Sequence, residues 1–182
     1  VKGKDESLTM VMNLDMLSYD TLKIENFRIK EQVEKGIIYS HISTLDSAGR
    51  ENYLFANQIE TADDFFSIRF LPEGLVLDGS PWNVEAGNLL EMRKGKLSAE
   101  QLVFSKDKQS AGFITGSENQ KLVFENFALQ NLVNIVKPKG EKRLLQGNLS
   151  GEIIFPVSGS QKYIDADIAL NELYFQDSLV GN

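Results

Sequence analysis

Apolar and polar residues alternate with a period of two along most of the 182-residue chain, the spacing of strands that bury one face. Leu8, Met10, Met12, Leu14 and Met16 alternate with Thr9, Val11, Asn13 and Asp15, which gathers thioethers and leucines on one uncharged side. The same alternation runs through Tyr53, Phe55, Asn57 and Ile59, through Phe66, Ile68 and Phe70, through Leu149, Gly151, Ile153 and Phe155, and through Ile164, Ala166, Ile168 and Leu170. Turn-forming clusters divide these runs at Ser47-Ala48-Gly49, Pro72-Glu73-Gly74, Asp78-Gly79-Ser80-Pro81, Lys94-Gly95, Gly116-Ser117 and Val157-Ser158-Gly159-Ser160. The spacing predicts an all-β, antiparallel chain of about 12 short strands at intervals of about 10 to 14 residues.

One segment departs from this pattern. Leu129, Leu132, Val133 and Val136 recur at i, i+3, i+4 and i+7 and are followed by Lys137-Pro138 and Gly140, a helix face with its stop signal. One short helix is expected near 130–137, as a plug on an end or face of the sheet.

A second pattern repeats within the chain. Leu22, Ile24, Phe27 and Ile29 share the spacing i, i+2, i+5, i+7 with Leu122, Phe124, Phe127 and Leu129, with Leu97, Ala99, Leu102 and Phe104, and with Ile168, Leu170, Leu173 and Phe175. On a helix these positions point in several directions. On a strand, one extra residue in the middle step restores a common face if it forms a bulge. Bulged, strongly twisted strands are therefore expected at Glu25-Asn26, Glu100-Gln101, Glu125-Asn126 and Asn171-Glu172, with hairpins stacked in tandem.

Composition narrows the chemistry. Lys and Arg number 19 against 26 Asp and Glu, for a net charge of -7, which disfavours nucleic acid and an anionic membrane surface as partners. There is no cysteine and one histidine, so thiol catalysis, disulfides and most metal-binding frameworks fall away. His41 sits in an ordinary strand pattern with Ile37, Tyr39 and Ser43 and is read as structural. Asp63-Asp64 and Asp165 with Asp167 lack a glycine-centred ligand loop and read as solvated positions. Gly79, Gly87 and Gly95 open no helix, so no phosphate loop is expected. Trp82 reads as core, with stacking on a sugar as the alternative. The chain is read as a nonenzyme without cofactor or metal. What remains is apolar surface: a groove if the faces stay open, a scaffold if they are sealed. No stretch reaches the roughly 18 to 20 apolar residues that span a bilayer. The start at Val1 and the end at Asn182 suggest one β-rich segment, 1–182, cut from a longer protein at both ends.

From Phe65 onward the chain resembles the translocation and assembly module TamB family of Bacteroidetes-like bacteria, within the AsmA-like superfamily. Asp63-Asp64-Phe65-Phe66, Ile68, Phe70, Pro72, Gly74, Leu77-Asp78-Gly79 and Pro81-Trp82 carry the likeness, with Leu145, Gly147, Leu149, Gly151 and the segment from Ala166 to Asn182. The resemblance covers about two thirds of the chain and marks strand faces and turns, not catalytic residues. It implies an elongated antiparallel sheet folded lengthwise into an apolar trough (a β-taco), in the periplasm, within a protein anchored in the inner membrane. It also implies phospholipid movement toward the outer membrane and a link to outer-membrane protein assembly. Expected partners are phospholipid acyl chains, adjacent segments of the same full-length chain and an outer-membrane barrel of the assembly family.

On that reading the groove is lined by Leu8, Met10, Met12, Leu14, Met16, Leu22, Ile24, Phe124, Phe127, Leu149, Ile153, Phe155, Ile168 and Leu170. Its walls should carry no unpaired charge, since burying one costs several kcal/mol. The alternatives are a dry β-sandwich or solenoid spacer, and a carbohydrate-binding sandwich that uses Trp82.

Overall fold

The structure, a computed structural model, describes residues 7–19, 22–136, 145–156, 163–175 and 178–181. The chain runs β1 (Leu8–Tyr19), β2 (Leu22–Glu34), β3 (Ile37–Leu45), β4 (Glu51–Ala62), β5 (Phe65–Leu77), β6 (Ser80–Pro81), β7 (Asn83–Val84), β8 (Leu89–Arg93) and β9 (Lys96–Glu100). It continues with β10 (Leu102–Lys106), β11 (Gln109–Thr115), β12 (Asn119–Ala128), the single helical turn α1 (Gln130–Val133) with a 3-10 turn (Asn134–Val136), β13 (Leu145–Pro156), β14 (Asp165–Phe175) and β15 (Ser178–Gly181). All strand pairing among the described residues is antiparallel. The first sheet is ordered β1-β2-β3-β4-β5-β8-β9 with β6 on β5, and the second β15-β14-β13-β12-β11-β10-β7.

The expected all-β trough with one short helix is the observed fold, built as two facing sheets that do not close into a barrel. The strands are more numerous than expected, and several reach 12 or 13 residues. Positive φ at both Lys35 and Gly36, Asp78 and Gly79, and Lys94 and Gly95 identifies tight turns whose twist matches that of the flanking strands.

The repeated template is explained by backbone geometry. Asn26, Gln101, Asn126 and Glu172, the second polar residue of each copy, all have φ between 45° and 52°. Between Phe124 and Phe127 the pairing with β13 slips by one residue, so both phenylalanines face the same way. The slip between Gln146 and Asn148 on β13 does the same opposite Glu172. At Asn26 the pairing of β1 with β2 keeps its register. At Gln101 the left-handed residue marks a corner: β9 pairs with β8 in the first sheet, and β10 with β7 and β11 in the second.

Two expectations are corrected. Pro72-Glu73-Gly74 is not a turn but a large bulge inside β5: Phe70 pairs with Asn57 and Leu75 with Phe55, leaving the intervening residues looped out. Gly74 is required there, because a Cβ would collide with the Ala56 carbonyl oxygen. The helical segment is a single α turn plus a 3-10 turn, and Leu132 on its predicted apolar face is 51 % exposed. Ile135, outside the predicted stripe, is the residue that packs on the core. The stop residues Lys137-Pro138 and Gly140, the Leu129-stripe residue Val136 as a side chain, and the expected turn at 157–160 lie outside the described residues.

Candidate functional site

Register assigns the wall positions. In the first sheet, paired residues form rows across the strands on one face: Leu14, Phe27, Thr44 and Tyr53, then Met12, Ile29, Ile42, Phe55 and Leu75. A third row runs Leu8, Val33, Ile38, Ile59, Ile68, Leu90 and Ala99. In the second sheet one row holds Phe127, Leu149 and Leu170. The next holds Val84, Phe104, Ala111, Phe124, Gly151 and Ile168, and a third Leu102, Phe113, Leu122, Ile153 and Ala166. Phe155 pairs with Gln120 at the far end of this face. Most of the residues expected to line a groove thus stand on two facing walls.

The walls meet where Tyr53, Leu75, Leu77, Trp82 and Phe127 form the core, with Phe55, Val84, Phe104, Phe124, Ile135 and Leu149 packed around them. Phe70 of the first sheet meets Phe104 of the second edge-on at 5.0 Å, and Trp82 lies 5.5 Å from Phe127. Burying each of these large side chains contributes about 1.5–3 kcal/mol. Polar contacts stitch the same junction. The Asn88 side chain bonds both the N–H and the carbonyl of Phe70, and the Ala99 N–H donates to Thr115 Oγ1 at 2.7 Å.

Exposure rises away from this junction. Along one row it increases from 4 % at Leu75 to 39 % at Met12, and along the opposite wall from 3 % at Phe127 to 40 % at Leu170. These two rows are therefore sealed near the junction and open toward β1 and β14. Leu8, Met10 and Met16 are exposed as well.

The structure corrects several site assignments. Phe127 is sealed in the core and is not accessible lining, and Phe124 and Leu149 flank it. Met16 pairs with Glu25, and Ile24 with Leu17, so the wall loses its unbroken apolar row beyond Asn26. The side chain of Leu22 lies outside the described residues. The lining is also not free of charge. Met10 stands beside Glu31, Ser40 and Asn57 in one row, with Ser40 Oγ donating to Glu31 at 2.8 Å. Alternation within β1 gave no sign of this polar row, because Glu31 comes from the neighbouring strand.

Trp82 is 3 % exposed, so its indole has no face to offer a sugar and it serves as core. His41 lies on the opposite face, with Nε2 2.8 Å from Glu51. No group of acids and histidines able to hold a metal ion occurs among the described residues.

A polar cleft of about 350 Å3 opens at the rim of the first wall, lined by Lys23, Glu25, Asn26, Thr44, Asp46, Arg50, Asn52 and Ile135 among others. Asp46 accepts from the Ala48 and Arg50 N–H groups and pairs with the Arg50 guanidinium, which holds its carboxyl below the usual range. Composition drew no attention to these residues, which come together only through the slip in pairing between Thr44 and Leu45 and the turn that follows.

No family model matches the chain, and no curated protein and no solved structure matches it.

Proposed function

We propose that this chain is a noncatalytic segment of a hydrophobic conduit that carries phospholipid acyl chains between inner and outer membrane, within a longer periplasmic protein. The observation that carries this reading is the pair of facing apolar walls, each with a row graded from a sealed junction to an exposed residue, Met12 on β1 or Leu170 on β14. The sequence resemblance to the TamB family points the same way, and with it the link to outer-membrane protein assembly and to a partner barrel.

The energetics are those of a covered path. An acyl chain of about 16 carbons loses about 0.8 kcal/mol per methylene in water, so crossing an aqueous gap uncovered costs on the order of 12 kcal/mol. A wall of leucine, methionine and isoleucine removes most of that barrier, and methionine adapts its shape to chains of different form. The sealed core at Tyr53, Trp82 and Phe127 favours the second reading, a rigid spacer, for that end of the molecule alone.

Photocrosslinkers at Met12 and Leu170 test the proposal. Capture of phospholipid at both positions in cells is the expected result. Capture at neither position, with no lipid retained in native mass spectrometry, leaves the spacer reading in its place.

A further inference from the structure

The conduit reading accounts for acyl chains and leaves the polar end of a phospholipid without a seat. We propose that the cleft framed by Lys23, Glu25 and Asn52 seats a zwitterionic phosphoethanolamine head, a phosphate with a primary ammonium two carbons away. This inference rests on the conduit reading for the lipid as its source.

The charges of the cleft divide into a closed pair and an open pair. Arg50 and Asp46 satisfy one another through bonds of 2.8 to 3.0 Å, forming a neutral frame. Lys23 and Glu25, two residues apart on β2, make no ion pair among the described residues and leave one charge of each sign at the cleft. Phosphate answers Lys23, and an ammonium answers Glu25.

A second observation points to a donor. Asn52 lines this cleft, and its Oδ1 has no hydrogen-bond donor among the described residues. Buried acceptors are rarely left unpaired, and an ammonium brings three donors. The rim is fixed beforehand: Asn26 holds its left-handed turn while its Nδ2 donates to the Leu45 carbonyl at 3.3 Å.

Placement joins head to tail. Thr44 lines the cleft and also belongs to the row Leu14, Phe27, Thr44, Tyr53, and Ile135 lines it while packing on the core. A head seated here leaves its acyl chains at the start of the apolar rows. The volume of about 350 Å3 sits at the lower end of small-ligand sites, about 300–1,000 Å3, and so suits a head group and not a whole lipid. A phosphatidylglycerol head would set its phosphate at Lys23 and bring neutral hydroxyls to Glu25, with no cation to answer that carboxylate.

The test incubates the chain with vesicles of equimolar phosphatidylethanolamine and phosphatidylglycerol bearing identical acyl chains, and reads bound lipid by native mass spectrometry. Phosphatidylethanolamine should exceed phosphatidylglycerol by about fivefold or more. Glu25→Gln and Lys23→Gln, both exposed positions, should bring the ratio to parity with the melting temperature unchanged. Lipid bound at parity by the wild type, or a preference that survives both substitutions, overturns the head-group site and leaves the conduit standing. If no lipid is bound, the conduit fails and titration with free phosphoethanolamine decides the cleft. A saturable shift of the Asn52 side-chain amide signal, absent with glycerol phosphate, supports a site for the free zwitterion, and an unmoved signal overturns it.

Discussion

Asn26 and Asn126, far apart in sequence, adopt the same left-handed backbone, with φ of 51° and 46°, and use their side chains alike. Asn26 Nδ2 donates to the carbonyl of Leu45, the last residue of β3, and Asn126 Nδ2 to the carbonyl of Lys108, in the turn just before β11. Asparagine tolerates this conformation, and β-branched residues do not. Asn126→Gly should change stability by no more than about 0.5 kcal/mol, whereas Asn126→Val should cost about 1–3 kcal/mol. Urea denaturation of the two variants checks the contrast, and equal costs would remove the backbone explanation.

The sealed and open ends of the walls should respond differently to truncation. Phe127→Ala, in the core beside Trp82, should cost about 3–5 kcal/mol. Met12→Ala, already 39 % exposed, should cost about 1 kcal/mol or less. Chemical denaturation of both variants measures the gradient, and a costly Met12→Ala would mean that the rim is packed more tightly than its exposure indicates.

Charge placed on the open wall separates transport from folding. Met12→Asp should leave the melting temperature within about 4 °C of the wild type, a stability change of about 1 kcal/mol or less. It should nevertheless abolish crosslinking of lipid at Leu170, since the charge faces the acyl path. Undiminished crosslinking would show that the path avoids the first wall.

Tyr53 supplies a pH prediction. Burial, with a smaller contribution from the Asp78 carboxylate, pushes its phenol far above the ordinary range. The folded state therefore holds the proton more tightly than the unfolded state. The resulting stability is complete below the unfolded value of about 10 and is lost progressively as pH rises above it. Its hydroxyl also has no hydrogen-bond partner among the described residues. Tyr53→Phe should thus be neutral or slightly stabilising at pH 7 and should flatten the fall in stability above about pH 10. Denaturant midpoints between pH 7 and 11 test this, and an unchanged alkaline slope would assign it to other groups.

Sequence pattern made the strands legible because an alternating face survives any arrangement of neighbours. The i, i+2, i+5, i+7 template was legible in part: all four copies carry a left-handed residue, but only at Asn126 and Glu172 does it accompany the extra residue of a bulge, while Asn26 keeps its register with β1 and Gln101 turns a corner between the sheets. The Pro72-Glu73-Gly74 bulge was not, since proline and glycine mark a turn and a bulge alike, and the Ala56 carbonyl that settles the matter lies on another strand. Which wall residues are sealed also escaped. Phe127 and Leu170 read identically in alternation, and only the meeting with Trp82 separates them. Glu31 and the polar cleft depend on cross-strand register, which one sequence does not encode in any local signal.

The chain passes from one sheet to the other at Trp82, between β7 and β8, and again at Gln101, so strands of the two walls alternate in this stretch. Neither wall is a contiguous block of sequence: β7, residues 83–84, belongs to the second sheet yet precedes the last two strands of the first. Severing the polypeptide at Gln101 would therefore not release two autonomous halves, because the upstream piece would carry off an edge of the downstream one.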